Sequence, residues 1–95
     1  MFIIELTYKV PLEIIDACLN EHISFLDKYY ASGNFIVSGR KVPRSGGIIF
    51  ATGNSIEELR TIIAEDPFYK NQMADYNVTE FMVTKKADKI ETFIK

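Results

Sequence analysis

The hydrophobic period of this chain switches back and forth between two residues and about 3.6, and that switching constrains the fold most. Residues Phe2 to Tyr8 alternate, with Phe2, Ile4, Leu6 and Tyr8 on one side of Ile3, Glu5 and Thr7, which predicts a strand. From Pro11 to Tyr30 the period becomes helical. Advancing about 100° per residue puts Ile15, Cys18, Leu19, His22, Phe25, Leu26 and Tyr29 on one face and Glu13, Asp16, Asn20, Ser24, Asp27 and Lys28 on the other. Pro11 suits the first helical turn. Ser32-Gly33-Asn34 stops the helix, with Gly33 as the left-handed residue past its end.

Two short strands follow, Phe35 to Gly39 and Ile48 to Thr52, joined by the polar stretch Arg40 to Ser45 and Gly46-Gly47. Ser55-Ile56-Glu57-Glu58 is a capping box that opens a second helix, with Ile56, Leu59, Ile62 and Ile63 as its buried face. Asp66-Pro67-Phe68 interrupts that helix. Asp66 caps a short new turn with Pro67 in its first position. A last strand is predicted from Tyr76 to Thr84, and the tail from Ala87 to Lys95 is weakly amphipathic through Ile90, Phe93 and Ile94.

Strand, helix, strand, strand, helix, strand is the order of the split βαβ, or ferredoxin-like, arrangement. The expectation is an α+β domain, βαββαβ, spanning residues 1–95, with a four-stranded antiparallel sheet and both helices on one face. Nearly half of the 95 residues are apolar, with seven Phe and five Tyr, more than one thin core readily hides. The second sheet face is therefore expected to meet another copy in a homodimer, with further pairing of dimers left open.

Composition narrows the partners. The formal net charge is −2 and no basic cluster offsets it, which argues against nucleic acid. The third strand also lacks the basic and aromatic pattern of an RNA-binding sheet. The N-terminus has no signal-peptide layout and no apolar run is long enough to span a bilayer. A single cysteine, Cys18, forms no internal disulfide. These features point to a cytoplasmic protein. One His and one Cys make no usual metal-ligand set, so no metal and no cofactor are expected. No Ser-His-Asp nucleophile motif is present.

Chemistry centres on His22, the only histidine, set in an otherwise apolar stripe. An unperturbed imidazole titrates near pH 6.5, so it both takes and gives protons in neutral water. The plain alternative is a core histidine with both nitrogens bonded. Asp66 is the natural partner, because helices on one sheet face bring the middle of the first near the end of the second. A carboxylate on one imidazole nitrogen fixes the tautomer and raises basicity at the other. Capping alone also accounts for Asp-Pro, and the two roles are compatible.

Ser38-Gly39-Arg40 and Ser45-Gly46-Gly47 flank the hairpin loop. Glycine lets a backbone approach a ligand and exposed amides hold anions. Ser38, Gly39, Arg40, Gly46 and Gly47 are therefore candidates for substrate binding, with Arg40 facing a carboxylate or phenolate. Ordinary loop chemistry is the alternative. Cys18, on the buried stripe, reads as a small hydrophobe rather than a reactive thiolate. Tyr8, Tyr29 and Tyr30 could line a pocket or fill the core.

His22, Phe35-Ile-Val-Ser-Gly39 before a loop containing Pro43, Gly46-Gly47-Ile-Ile, Ser55-Ile-Glu-Glu-Leu and Asp66-Pro67-Phe68 come in an order that resembles the YciI-like family, the YCII-related domain. The resemblance covers nearly the whole chain. It implies a dimeric ferredoxin-like α/β barrel, akin to muconolactone isomerase, with a His–Asp pair in a cleft near the dimer interface. The histidine of that pair corresponds to His22 and the aspartate to Asp66. One member type is a dehydrochlorinase of a chlorinated hydroxyquinol, while most members have no assigned reaction. The family often has Gly-Pro after the second strand; here Gly39-Arg40 stands there.

Two functions follow as expectations. One is a cofactor-independent enzyme, a dehydrochlorinase, lyase or isomerase, that uses His22 and Asp66 on a hydroxylated ring or small acid. The other is a non-catalytic ligand-binding or accessory dimer.

Overall fold

The computed structural model describes residues 1–90. Its strands are β1 (Phe2–Tyr8), β2 (Phe35–Arg40), β3 (Gly46–Ala51) and β4 (Ala74–Glu80), and its helices are α1 (Leu12–Ala17), α2 (Leu19–Ala31), α3 (Ile56–Ile63) and α4 (Pro67–Lys70). The sheet is antiparallel in the order β2-β3-β1-β4. That is the ferredoxin-like α+β arrangement expected from the order of elements.

The register fixes which side chains share a face. Phe2, Ile4 and Leu6 pair with Ala51, Ile49 and Gly47 on one side and with Glu80, Val78 and Tyr76 on the other. Phe2, Ile4, Leu6, Ile49 and Ala51 are buried under Ile15, Phe25, Leu59, Ile62, Ile63 and Phe68 from the helices. The opposite face carries Ile3, Val37, Ile48 and Phe50, because successive strand residues point to opposite sides.

Along the first helical region every stripe residue is buried or half-buried and the opposite face is exposed. The predicted single helix is in fact two. The break falls at Cys18, whose backbone (φ −108°, ψ 6°) leaves the helical region. Gly33 takes φ +87° past the end of α2, the conformation for which glycine is suited. The Ser55 hydroxyl accepts from the Glu58 amide at 3.2 Å, but the Glu58 carboxylate reaches one residue further back than a capping box requires, to the Asn54 amide at 2.6 Å.

The last strand starts and ends earlier than its alternation suggests. The Phe81 amide donates to the Met1 carbonyl at 2.9 Å. Glu80 is the last residue of β4, opposite Phe2 at the start of β1, and the ladder stops there. Met82, Val83 and Ile90 are exposed. Phe93 and Ile94 of the predicted amphipathic tail lie outside the described residues. No helix among the described residues is long and apolar enough to cross a membrane.

Candidate active site

Asp66 lies just past the turn that ends α3, its amide donating to the Ile63 carbonyl at 2.9 Å. Its backbone is extended (φ −69°, ψ 125°), and one carboxylate oxygen, Oδ1, accepts from the Phe68 amide at 3.0 Å. This is the cap expected of Asp-Pro at the head of a helical turn. The same oxygen lies 2.8 Å from Nδ1 of His22 on α2. Capping and pairing are thus one arrangement. The cap aims the carboxylate, and α2, packed beside α4, presents the imidazole to it.

Asp66 has no solvent exposure, and the His22 side chain is only 12 % exposed. A buried carboxylate is tolerable only when its lone pairs are satisfied. The second oxygen, Oδ2, accepts from the Tyr76 hydroxyl. Tyr76 comes from β4, where it stands beside Leu6 on the helix-covered face. Burial first, and then the Asp66 charge, push its phenol well above the ordinary tyrosine range. The hydroxyl therefore stays protonated and remains a donor.

Imidazole orientation is fixed by packing as well as by hydrogen bonding. The Phe68 ring stacks on His22 with centroids 4.1 Å apart and planes within 7°. Phe25 lies tilted at 6.1 Å. With Nδ1–H donating to Asp66, the neutral ring carries its lone pair on Nε2.

His22 lines a cavity of about 220 Å³ between α2 and the β1–β3–β2 part of the sheet. Leu6, Leu19, Ile23, Leu26 and Ile49 make its walls mainly apolar. Of the predicted binding residues, Ser38, Gly39, Arg40 and Gly47 line it; Gly46 does not. Gly46 is buried where β3 pairs with β1, opposite Thr7. A Cβ added there would lie 1.8 Å from the Leu6 carbonyl oxygen, so glycine is required for the strands to meet. Ser38 receives the Tyr30 hydroxyl at 2.7 Å.

Tyr8 also lines the cavity, while Tyr29 and Tyr30 do not. Tyr29 instead donates to Glu65. Sequence reasoning missed Arg44 and Tyr76. Arg44 joins Arg40 at the cavity and is held by Asp16 of α1 at 2.6 Å. That hydrogen bond holds the Asp16 carboxyl below its usual range and raises the guanidinium. Nothing local distinguishes Arg44 in its loop, and Tyr76 looks like any strand aromatic. Cys18 is half-buried, and desolvation, then the Glu21 and Asp66 charges, push its thiol up. That is the setting of an inert thiol.

The family model for the YCII-related domain matches residues 1–82. The chain belongs to the YCII-related domain family. Among solved structures, this YCII-related chain is similar to the 5-chloro-2-hydroxyhydroquinone dehydrochlorinase from Burkholderia phenoliruptrix AC1100, determined in complex with 2,5-dihydroxybenzoquinone. The TM-score is 0.72 at 17% sequence identity, covering 86% of this chain and 94% of that one. At that identity the likeness establishes a shared fold. No curated protein sequence matches the chain.

Proposed function

We propose that this YCII-related domain is a cofactor-independent enzyme in which His22 is the general base or acid and Asp66 orients it. The observation that carries this reading is one contact. Nδ1 of His22 meets a fully buried carboxylate at 2.8 Å while the same imidazole lines a cavity. A structural histidine needs a partner but has no need of a hollow beside it.

The substrate class follows from the walls. An apolar cavity of about 150 Å³ holds benzene, so about 220 Å³ suits one six-membered ring with a few oxygen substituents. Arg44 is neutralised by Asp16. Arg40 has no ion pair among the described residues, and it would meet a phenolate or carboxylate on that ring. The Gly39 and Gly47 backbones let the ring approach closely.

The chemistry is proton transfer. Nε2 of His22 takes a proton from a ring hydroxyl or from a carbon beside a carbonyl. The freed pair moves into the ring. In a dehydrochlorination the imidazolium returns that proton to the chlorine-bearing carbon. Loss of a second hydroxyl proton then drives the C–Cl bond to break with its electrons on chloride, leaving a quinone, for a net loss of HCl. In an isomerisation the imidazolium returns the proton to a different carbon. Neither course needs an oxidant or reductant. The similarly folded dehydrochlorinase supports the first.

Asparagine at position 22 tests this. Its amide reaches the place of Nδ1 and still donates to Asp66, but offers no Nε2. Chloride release from 5-chloro-2-hydroxyhydroquinone, and solvent-deuterium uptake by other hydroxylated rings, are the readouts. His22→Asn is expected to fold normally and lose about 10²–10⁴-fold in turnover. Ring compounds that raise the melting temperature of wild type and variant alike, with no turnover by either, would replace the enzyme with a ligand-binding module.

The reading includes a homodimer joined through the open sheet face. Ile3, Val37, Ile48 and Phe50 share that face, and Ser38, Gly39, Arg40 and Ile48 lie between the candidate cavity and a second hollow on it. Light scattering should give twice the chain mass, and Phe50→Lys should lower it to one chain.

A further inference from the structure

We propose that Tyr76 is a positioning residue that sets the proton affinity of His22 by holding the far oxygen of Asp66. The inference rests on the His22–Asp66 reading above and deepens it.

The two oxygens of Asp66 are unequally engaged. Oδ1 takes both the His22 ring and the Phe68 amide. Oδ2 takes the Tyr76 hydroxyl. No buried side-chain nitrogen or oxygen among the described residues lacks a partner. Removing the phenol would leave Oδ2 buried with none. A donor on a carboxylate draws off part of its charge. Without Tyr76, more of that charge falls on the imidazole, and the His22–Asp66 pair holds its proton more tightly.

The placement of Tyr76 fits this work. Its ring separates the pair from a larger hollow of about 580 Å³, lined also by Lys9, Arg60, Tyr69 and Lys70. Tyr69 of α4 meets the Tyr76 ring edge-on, centroids 5.6 Å apart at 80°. Other ionisable groups reach the three residues from each packed element. Tyr8 of β1 acts on Tyr76. Cys18, where α1 meets α2, feels Asp66 and Glu21. Arg40 and Arg44 share the His22 cavity. Lys9 pairs with Asp75 at 3.2 Å near the far hollow. None of these replaces the hydroxyl on Oδ2.

A single histidine makes the test direct, because imidazole proton and nitrogen resonances report His22 alone and no substrate is needed. In Tyr76→Phe the midpoint of His22 titration should rise by about one pH unit, the scale of a charge-assisted hydrogen bond. Biosynthetic replacement of tyrosine by 3-fluorotyrosine makes the phenol a stronger donor and should move the midpoint down. Tyr29→Phe, which removes a hydroxyl from Glu65 rather than Asp66, should leave it in place. A folded Tyr76→Phe protein that titrates like wild type overturns the proposal. Should that variant fail to fold, an unmoved midpoint in the fluorotyrosine protein overturns it instead. Loss of all ring turnover would sink the enzyme reading and leave this result standing. A silent Tyr76→Phe with an inactive His22→Asn would do the reverse.

Discussion

Glu65 and Asp66 are neighbours in the chain, and each joins a basic side chain of α2 and a tyrosine hydroxyl. Glu65 takes Lys28 at 2.6 Å and Tyr29; Asp66 takes His22 at 2.8 Å and Tyr76. The Glu65 side chain is 40 % exposed and Lys28 is 62 % exposed, whereas Asp66 is sealed. One residue step turns the same set of groups from a solvated clasp into a candidate proton-transfer centre. Side-chain identity matters less here than water. At the Glu65 site water competes for every charge and screens it. Asp66 is sealed from bulk solvent, so each donor is needed and each loss is felt.

The comparison breaks most sharply at Asp66. Asp66→Ala strands the Phe68 amide, the His22 Nδ1 donor and the Tyr76 hydroxyl together. A lost cap and orphaned buried donors should cost about 3 kcal/mol, or about 15 °C in melting temperature for a domain of this size. A loss as small as that of a surface pair would mean that water reaches the site.

Glu65→Gln should do far less. The Lys28 ammonium first, and the Tyr29 hydroxyl second, hold the Glu65 carboxyl below its ordinary value of 4.5. A depressed carboxyl stabilises the fold above the unfolded-state value and loses that contribution as pH falls through the folded one. Wild type and Glu65→Gln should therefore differ at pH 7 by no more than about 2 °C. They should draw together below about pH 4.5 as the wild-type carboxyl protonates. Added salt should narrow the remaining gap, since exposed pairs are screened. Calorimetric melts across pH and salt give both trends.

The ferredoxin-like order was legible because hydrophobic period is a local property. The stripe from Ile15 to Tyr29, the cap at Ser55 and the break at Asp66-Pro67 each declare themselves within a few residues. His22 and Asp66 were legible for the same reason, one an ionisable intruder among apolar neighbours, the other a cap. The length of β4 was not, since the ladder ends where β1 begins at Phe2, which no pattern near Thr84 reveals. Gly46 reads locally as a ligand-binding glycine, but it lies outside the cavity and serves the close approach of β3 to the Leu6 carbonyl.

What the sequence alone determined is therefore the set of elements, their order and the two residues whose types are out of place locally. Tertiary structure decided which groups complete the candidate site. Tyr76 reaches Asp66 from a strand, and Arg44 reaches the cavity through Asp16 of α1. Those contacts join residues far apart in the chain, and their chemistry depends on exclusion of water. Burial belongs to the packed fold, not to any short stretch of residues.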